Sequence, residues 1–186
     1  MKKITLLGDS IRWIGYGTKV PELLGNEYEV FQPDDNCRFS KYTLRGVMVE
    51  WAEGIEGSDI IHWNNGLWDA SDDGYGIFST VEEYVTNMKR IAAILKEKSK
   101  TVIFATTTPV RDDNPNHTND RIRAYNAAVV PVLEEMGIKI NDLNTFVSPH
   151  IEEYIRDDDK IHLTDEGILA CAKEVIDVIH KYEGEE

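Results

Sequence analysis

Short, largely apolar runs recur along the chain at Lys3–Leu7, Tyr28–Phe31, Asp59–Trp63, Thr101–Ala105 and Ile138–Ile140. Longer stretches with helical spacing of apolar residues follow most of them. Strands that alternate with helices favour parallel pairing, because each helix carries the chain back across the sheet. Thr101-Val-Ile-Phe-Ala105 is apolar nearly throughout, as a central strand covered on both faces must be. Right-handed crossovers then leave few topologies. The expected class is α/β, a parallel sheet with helices on both sides. At 186 residues, without an internal repeat or a low-complexity linker, residues 1–186 are expected to form one domain.

The helices can be placed from periodicity and caps. Leu44, Val47, Met48 and Trp51 recur at i, i+3, i+4 and i+7 and predict a helix over Thr43–Glu53. Thr80 and Glu83 form a capping box ahead of a long amphipathic stretch to Lys98. Asn119–Met136 is a second long helix ending at Gly137, and Pro131 inside it predicts a kink or break near Val130. Shorter helices are expected near Lys19–Leu24 and between Asp142 and Arg156. Thr164 caps the last helix, which runs to about Tyr182.

Charge narrows the partners. A net charge of −14 and a pI near 4.7 disfavour nucleic acid and anionic membranes, which both need a basic footprint. No stretch approaches the ~20 apolar residues of a membrane span. The apolar run before Gly8 is too short for a signal-peptide core. Cys37 and Cys171 lack CxxC spacing and read as free thiols of a reducing compartment. A cytoplasmic protein is expected.

Gly8-Asp9-Ser10 follows the first apolar run directly. A serine on a tight turn at the carboxyl end of a buried strand lies where open α/β sheets place their ligands. Ser10 is therefore a candidate nucleophile and needs a base. Of the five histidines, His180 falls late in the last helix, His62 inside a strand, and His150 in a loop without an evident partner. His162 has Asp159 three residues before it, just ahead of the last helix. Asp-x-x-His lets the carboxylate fold back on the imidazole, fix its tautomer and steady the imidazolium. The plainer reading of the same segment is a solvated acidic loop. Asp157 to Asp165 supplies too few clustered ligands for a cation site, so no metal is expected.

With these two motifs at opposite ends, the chain resembles the SGNH (GDSL-like) hydrolase superfamily of esterases and acylhydrolases. The resemblance rests on Gly8-Asp9-Ser10, Asp159-Lys-Ile-His162 and the order of elements over essentially the whole length. It implies a flavodoxin-like, three-layer α/β/α fold with a five-stranded parallel sheet. It also implies a Ser10–His162–Asp159 triad, with no metal and no organic cofactor. Two middle motifs depart from the family pattern. In the segment Asn36–Thr43, Lys41 stands where the family has a glycine whose N–H points at the oxyanion. In Gly66-Leu-Trp-Asp69, Trp68 replaces the family's asparagine, leaving upstream Asn64 or Asn65 to supply an amide, with Asn65 favoured. The expected oxyanion donors are thus Ser10, Lys41 and Asn65. Arg12, Trp13, Asn64, Trp68 and His117 lie on loops after strands and are expected to line the pocket, while Asp69 orders its own loop. The expected function is a serine esterase acting on a small, short-acyl ester, possibly carried by a carbohydrate. The rival is a non-catalytic sugar- or phosphate-binding module on the same fold.

Overall fold

The structure is a computed structural model that describes residues 1–184. Its sheet comprises β1 (Lys2–Leu7), β2 (Tyr28–Phe31), β3 (Ser58–Asn64), β4 (Ser99–Ala105) and β5 (Lys139–Asn141). All neighbours are parallel, in the order β2-β1-β3-β4-β5. This is the flavodoxin-like order, with its switch point between β1 and β3. The helices are α1 (Ser10–Trp13), α2 (Val20–Leu24), α3 (Ser40–Met48), α4 (Ala52–Ile55), α5 (Val81–Lys98), α6 (Asn119–Glu135), α7 (Leu143–Val147), α8 (Ile151–Tyr154) and α9 (Asp165–Tyr182).

Alternation along the strands divides the interior into two layers. Ile4, Leu6, Ile60 and Ile103 face α2 and α9, meeting Val20, Ala172, Val175 and Ile179. Leu7, Ile61, Trp63 and Phe104 face α3, α5 and α6, meeting Val47, Met88, Ile91 and Val129. The three-layer expectation is met, and both faces of the sheet are covered.

Two helix expectations are corrected. The helix expected over Thr43–Glu53 is two helices, because Val49 leaves helical geometry (φ −134°, ψ −70°). Trp51 instead donates its N–H to Gly46 O at 2.8 Å. Its ring lies so close that a Cβ at Gly46 would fall 2.3 Å from it. The second correction is that α6 does not break near Val130 but runs as one helix through Pro131. Pro131 lies on the exposed side of the helix, so Ala127 O, which loses its intrahelical donor, is not trapped in the core. The capping box of α5 is formed in both directions, between Thr80 and Glu83. Both cysteines are buried and unpaired with each other.

Candidate active site

The switch point brings the end of β1 beside the end of β3, and the Gly8-Asp9-Ser10 turn is built there. Asp9 caps α1, its Oδ1 accepting the Ile11 N–H at 3.0 Å and the Asn64 Nδ2–H at 2.9 Å. Asn64 Oδ1 accepts the Tyr16 hydroxyl at 2.9 Å. Gly8 is required by this network: a Cβ there would sit 1.8 Å from Asn64 Oδ1. Burial raises the Asp9 carboxyl to about 6, against the lowering effect of its two hydrogen bonds and of nearby His162 and Arg12. Its second oxygen, Oδ2, is buried without a partner.

The loop before α9 delivers the other two groups. Asp159 Oδ1 accepts the N–H groups of Ile161 and His162 at 3.0 and 2.9 Å. This tight turn needs Lys160 in the left-handed region at φ 66°, a conformation costing a non-glycine residue roughly 1–2 kcal/mol. Lys160 O is held by the Arg111 N–H at 3.0 Å, and Arg111 also binds the carbonyls of Glu152 and Ile155. Asp159 Oδ2 then lies 2.9 Å from His162 Nδ1, and His162 Nε2 lies 2.8 Å from Ser10 Oγ. Burial raises the Asp159 carboxyl, but the His162 and Ile161 N–H groups and the imidazole outweigh it and hold it below its usual range. Asp159 therefore stays ionised near neutrality. Ser10, His162 and Asp159 stand in a continuous hydrogen-bonded line.

Ser10 and His162 open onto two clefts. One, of about 460 Å³, is walled by Trp13, Ile14, Leu67, Trp68, His117 and Ile161, with Asn36 among its polar residues. The other, about 520 Å³, lies toward Arg156, Thr164, Asp165 and Ile168. Trp13 and Trp68 are 39% and 40% exposed, so their rings are available at the mouth of the first cleft. His117 lines it too, its ring tied to Leu67 O at 2.9 Å, and burial pushes its pKa down.

Several expected roles fall elsewhere. Arg12 is not a pocket residue. It is 1% exposed, and its guanidinium donates to the carbonyls of Gly8, Pro33 and Asp35, clamping the loop after β2 onto β1. Asn64 belongs to the Asp9 network and lines neither cleft. Asn65 is fully buried, its Nδ2–H donating to Arg38 O at 2.9 Å and its Oδ1 accepting the Trp63 indole at 2.7 Å. It lines neither cleft, so the geometry gives no support to its expected amide role. Lys41 is the second residue of α3, and its side chain borders a separate cleft with Phe39, Phe78 and Glu82. Asp69 does more than order its own loop: it accepts the Ser40 N–H and hydroxyl at 2.8 and 2.6 Å and the Ser79 hydroxyl at 2.8 Å. It thereby ties the start of α3 to the loop before α5. His62 is fully buried within β3, away from the clefts, and burial lowers it to about 3. Asn36, Leu67 and Ile161 line the cleft shared by Ser10 and His162, roles the sequence did not single out; only their nearness to the two motifs or to Trp68 could have flagged them. Among the described residues no group of three or more His, Cys, Asp or Glu side chains is placed to hold a metal ion.

No family model matches the chain. A GDSL esterase/lipase of Oryza sativa subsp. japonica is 28% identical over 134 residues, covering 61% of this chain and 49% of that protein. A GDSL esterase/lipase of Arabidopsis thaliana is 31% identical over 124 residues, covering 59% and 48%. The match thus spans about half the length of these curated relatives. Among solved structures, a lipase/acylhydrolase from Enterococcus faecalis superposes with a TM-score of 0.80 at 22% identity, over 97% of this chain and 96% of that one. An acetylxylan esterase from Geobacillus stearothermophilus, solved as a catalytic mutant, gives 0.80 at 15% identity, over 100% and 95%. The fold is shared along essentially the whole length, and the resemblance to the SGNH (GDSL-like) superfamily read from the motifs is borne out.

Proposed function

We propose that the chain is a carboxylic ester hydrolase that passes an acyl group from a small ester to Ser10 and then to water. The observation that carries this reading is the Ser10–His162–Asp159 line at the cleft, with contacts of 2.8 and 2.9 Å. Its likeness to GDSL esterase/lipases supports the same chemistry. Ser10 Oγ attacks the ester carbonyl carbon as its proton passes to His162 Nε2. Asp159, still ionised, holds the Nδ1–H and balances the imidazolium. The Ser10 N–H, first in α1, and the Lys41 N–H, second in α3, have no intrahelical acceptors and are the proposed backbone donors to the oxyanion. Collapse of the tetrahedral intermediate breaks the ester C–O bond, and the imidazolium gives its proton to the leaving alkoxide. Water, deprotonated by the same histidine, attacks the acyl-enzyme, and a second collapse returns the proton to Ser10 and frees the acid.

The cleft of about 460 Å³ suits a small ester. The exposed rings of Trp13 and Trp68 at its mouth suit a sugar face better than a long acyl chain, and the similarity in fold to an acetylxylan esterase points the same way. Acetyl or another short acyl group on carbohydrate is the proposed substrate. The two unpaired thiols suit a reducing compartment, and the cytoplasm is the proposed location.

The test is hydrolysis of a chromogenic acetate ester by wild type and Ser10→Ala, with fluorophosphonate labelling of both. Wild type is expected to turn over and to label at Ser10, and the variant to do neither while melting at the same temperature. Full activity in Ser10→Ala would overturn the assignment.

A further inference from the structure

The oxyanion site proposed above contains backbone donors only, and both upstream asparagine amides are committed elsewhere. We propose that Asn36 is the side-chain donor to the oxyanion, an inference that rests on the esterase reading. Asn36 lines the same cleft as Ser10 and His162. Its Oδ1 accepts the Arg38 N–H at 2.9 Å. A backbone N–H must face an oxygen, so this bond fixes the orientation of the amide and leaves the Nδ2 end uncommitted. No acceptor for Nδ2 occurs among the described residues. Of the other polar side chains of this cleft, Ser71 donates to Trp68 O and the His117 ring is tied to Leu67 O, while the Trp68 indole N–H belongs to an exposed ring that no comparable clamp holds.

The surroundings show a loop held rigidly against the nucleophile turn. The next residue, Cys37, donates its N–H to Gly8 O at 3.0 Å. Arg12 binds Pro33 O and Asp35 O on the Asn36 loop and Gly8 O on the nucleophile turn. Arg38 adopts φ 50°, an uncommon conformation for a non-glycine residue, and its N–H is the one bound by Asn36. A fully buried arginine and a strained backbone residue thus fix one half-buried amide beside Ser10. A donor that is positioned before charge develops is what oxyanion stabilisation requires.

The experiment compares Asn36→Asp, Asn36→Ser and Trp68→Phe with wild type on the acetate ester, all at one fixed pH. Aspartate and serine keep an oxygen to accept the Arg38 N–H, so melting temperatures should stay within a few degrees of wild type; aspartate has no amide donor, and serine is too short to reach. Both Asn36 variants should lose kcat by about 10²–10³ with KM little changed, and their fluorophosphonate inactivation should slow in parallel. Trp68→Phe removes only the indole N–H of this cleft residue and reports whether that group, rather than the Asn36 amide, is the donor. Asn36 variants with wild-type kcat overturn the inference while leaving the esterase reading intact. A loss confined to Trp68→Phe also overturns it, assigning the donor to the indole. A wild-type protein that neither hydrolyses nor labels overturns the esterase reading itself.

Discussion

Asp9 and His62, two buried titratable groups near the end of β1, pull stability in opposite directions with pH. Asp9 holds its proton more tightly folded than unfolded, its pKa raised from 3.8 to about 6 by burial. Its contribution is fully present below pH 3.8 and is lost as pH rises through about 6. His62 is lowered by burial from 6.5 to about 3, so its contribution is present above pH 6.5 and is lost as pH falls toward 3. Asp9→Asn should therefore lower stability relative to wild type less at pH 7 than at pH 4, by on the order of 2 kcal/mol. Urea unfolding at the two pH values measures this, and a pH-independent difference would contradict it. At this scale the residues of the proposed triad could be picked out because its pieces are local. Asp159 and His162 share one turn, and Gly8-Asp9-Ser10 is contiguous. The fates of Arg12, Asn64 and Asn65 were not legible, because each is decided by partners on other segments: Pro33 and Asp35, Asp9 and Tyr16, and Arg38.

At the scale of elements, helices were readable where their caps and stripes agree and misread where a tertiary contact intervenes. Thr80 and Glu83 mark the start of α5 from sequence because the capping box is a three-residue affair. Trp51 keeps helical spacing with Leu44 and Val47, yet its ring packs over Gly46 and the chain turns after Met48. Pro131 is the converse, a helix breaker overruled by the buried residues Val129 and Leu133 on either side of it. The missing hydrogen bond and the ring's crowding of Ala127 O remain as a cost in the folded state. Pro131→Ala should therefore raise folding stability by on the order of 1–3 kcal/mol, with the ester-hydrolysis rate unchanged. A fall in the denaturation midpoint would mean that the proline's restriction of the unfolded chain outweighs these costs.

Across the whole molecule, the net charge of −14 makes self-repulsion general rather than local. Raising the salt from about 0.01 M to about 0.15 M shortens the screening length to ~8 Å and should raise the melting temperature by a few degrees. A melting temperature that falls over that range would mean that attractive pairs, such as Lys160 with Asp157 and Asp113, dominate instead. The alternation of apolar runs and helical stripes was enough to determine a parallel, doubly covered sheet, because side-chain periodicity is a property of neighbours in sequence. The two chemical motifs were likewise readable, each from a few adjacent residues. The sheet order β2-β1-β3-β4-β5 is a tertiary fact, and it is what sets β1 beside β3 and brings the first and last motifs within hydrogen-bonding distance. Only the tertiary structure decided which polar side chains face the cleft. Burial and hydrogen bonding across distant segments commit Asn64, Asn65 and Arg12 to the scaffold and leave Asn36 with a free amide beside Ser10.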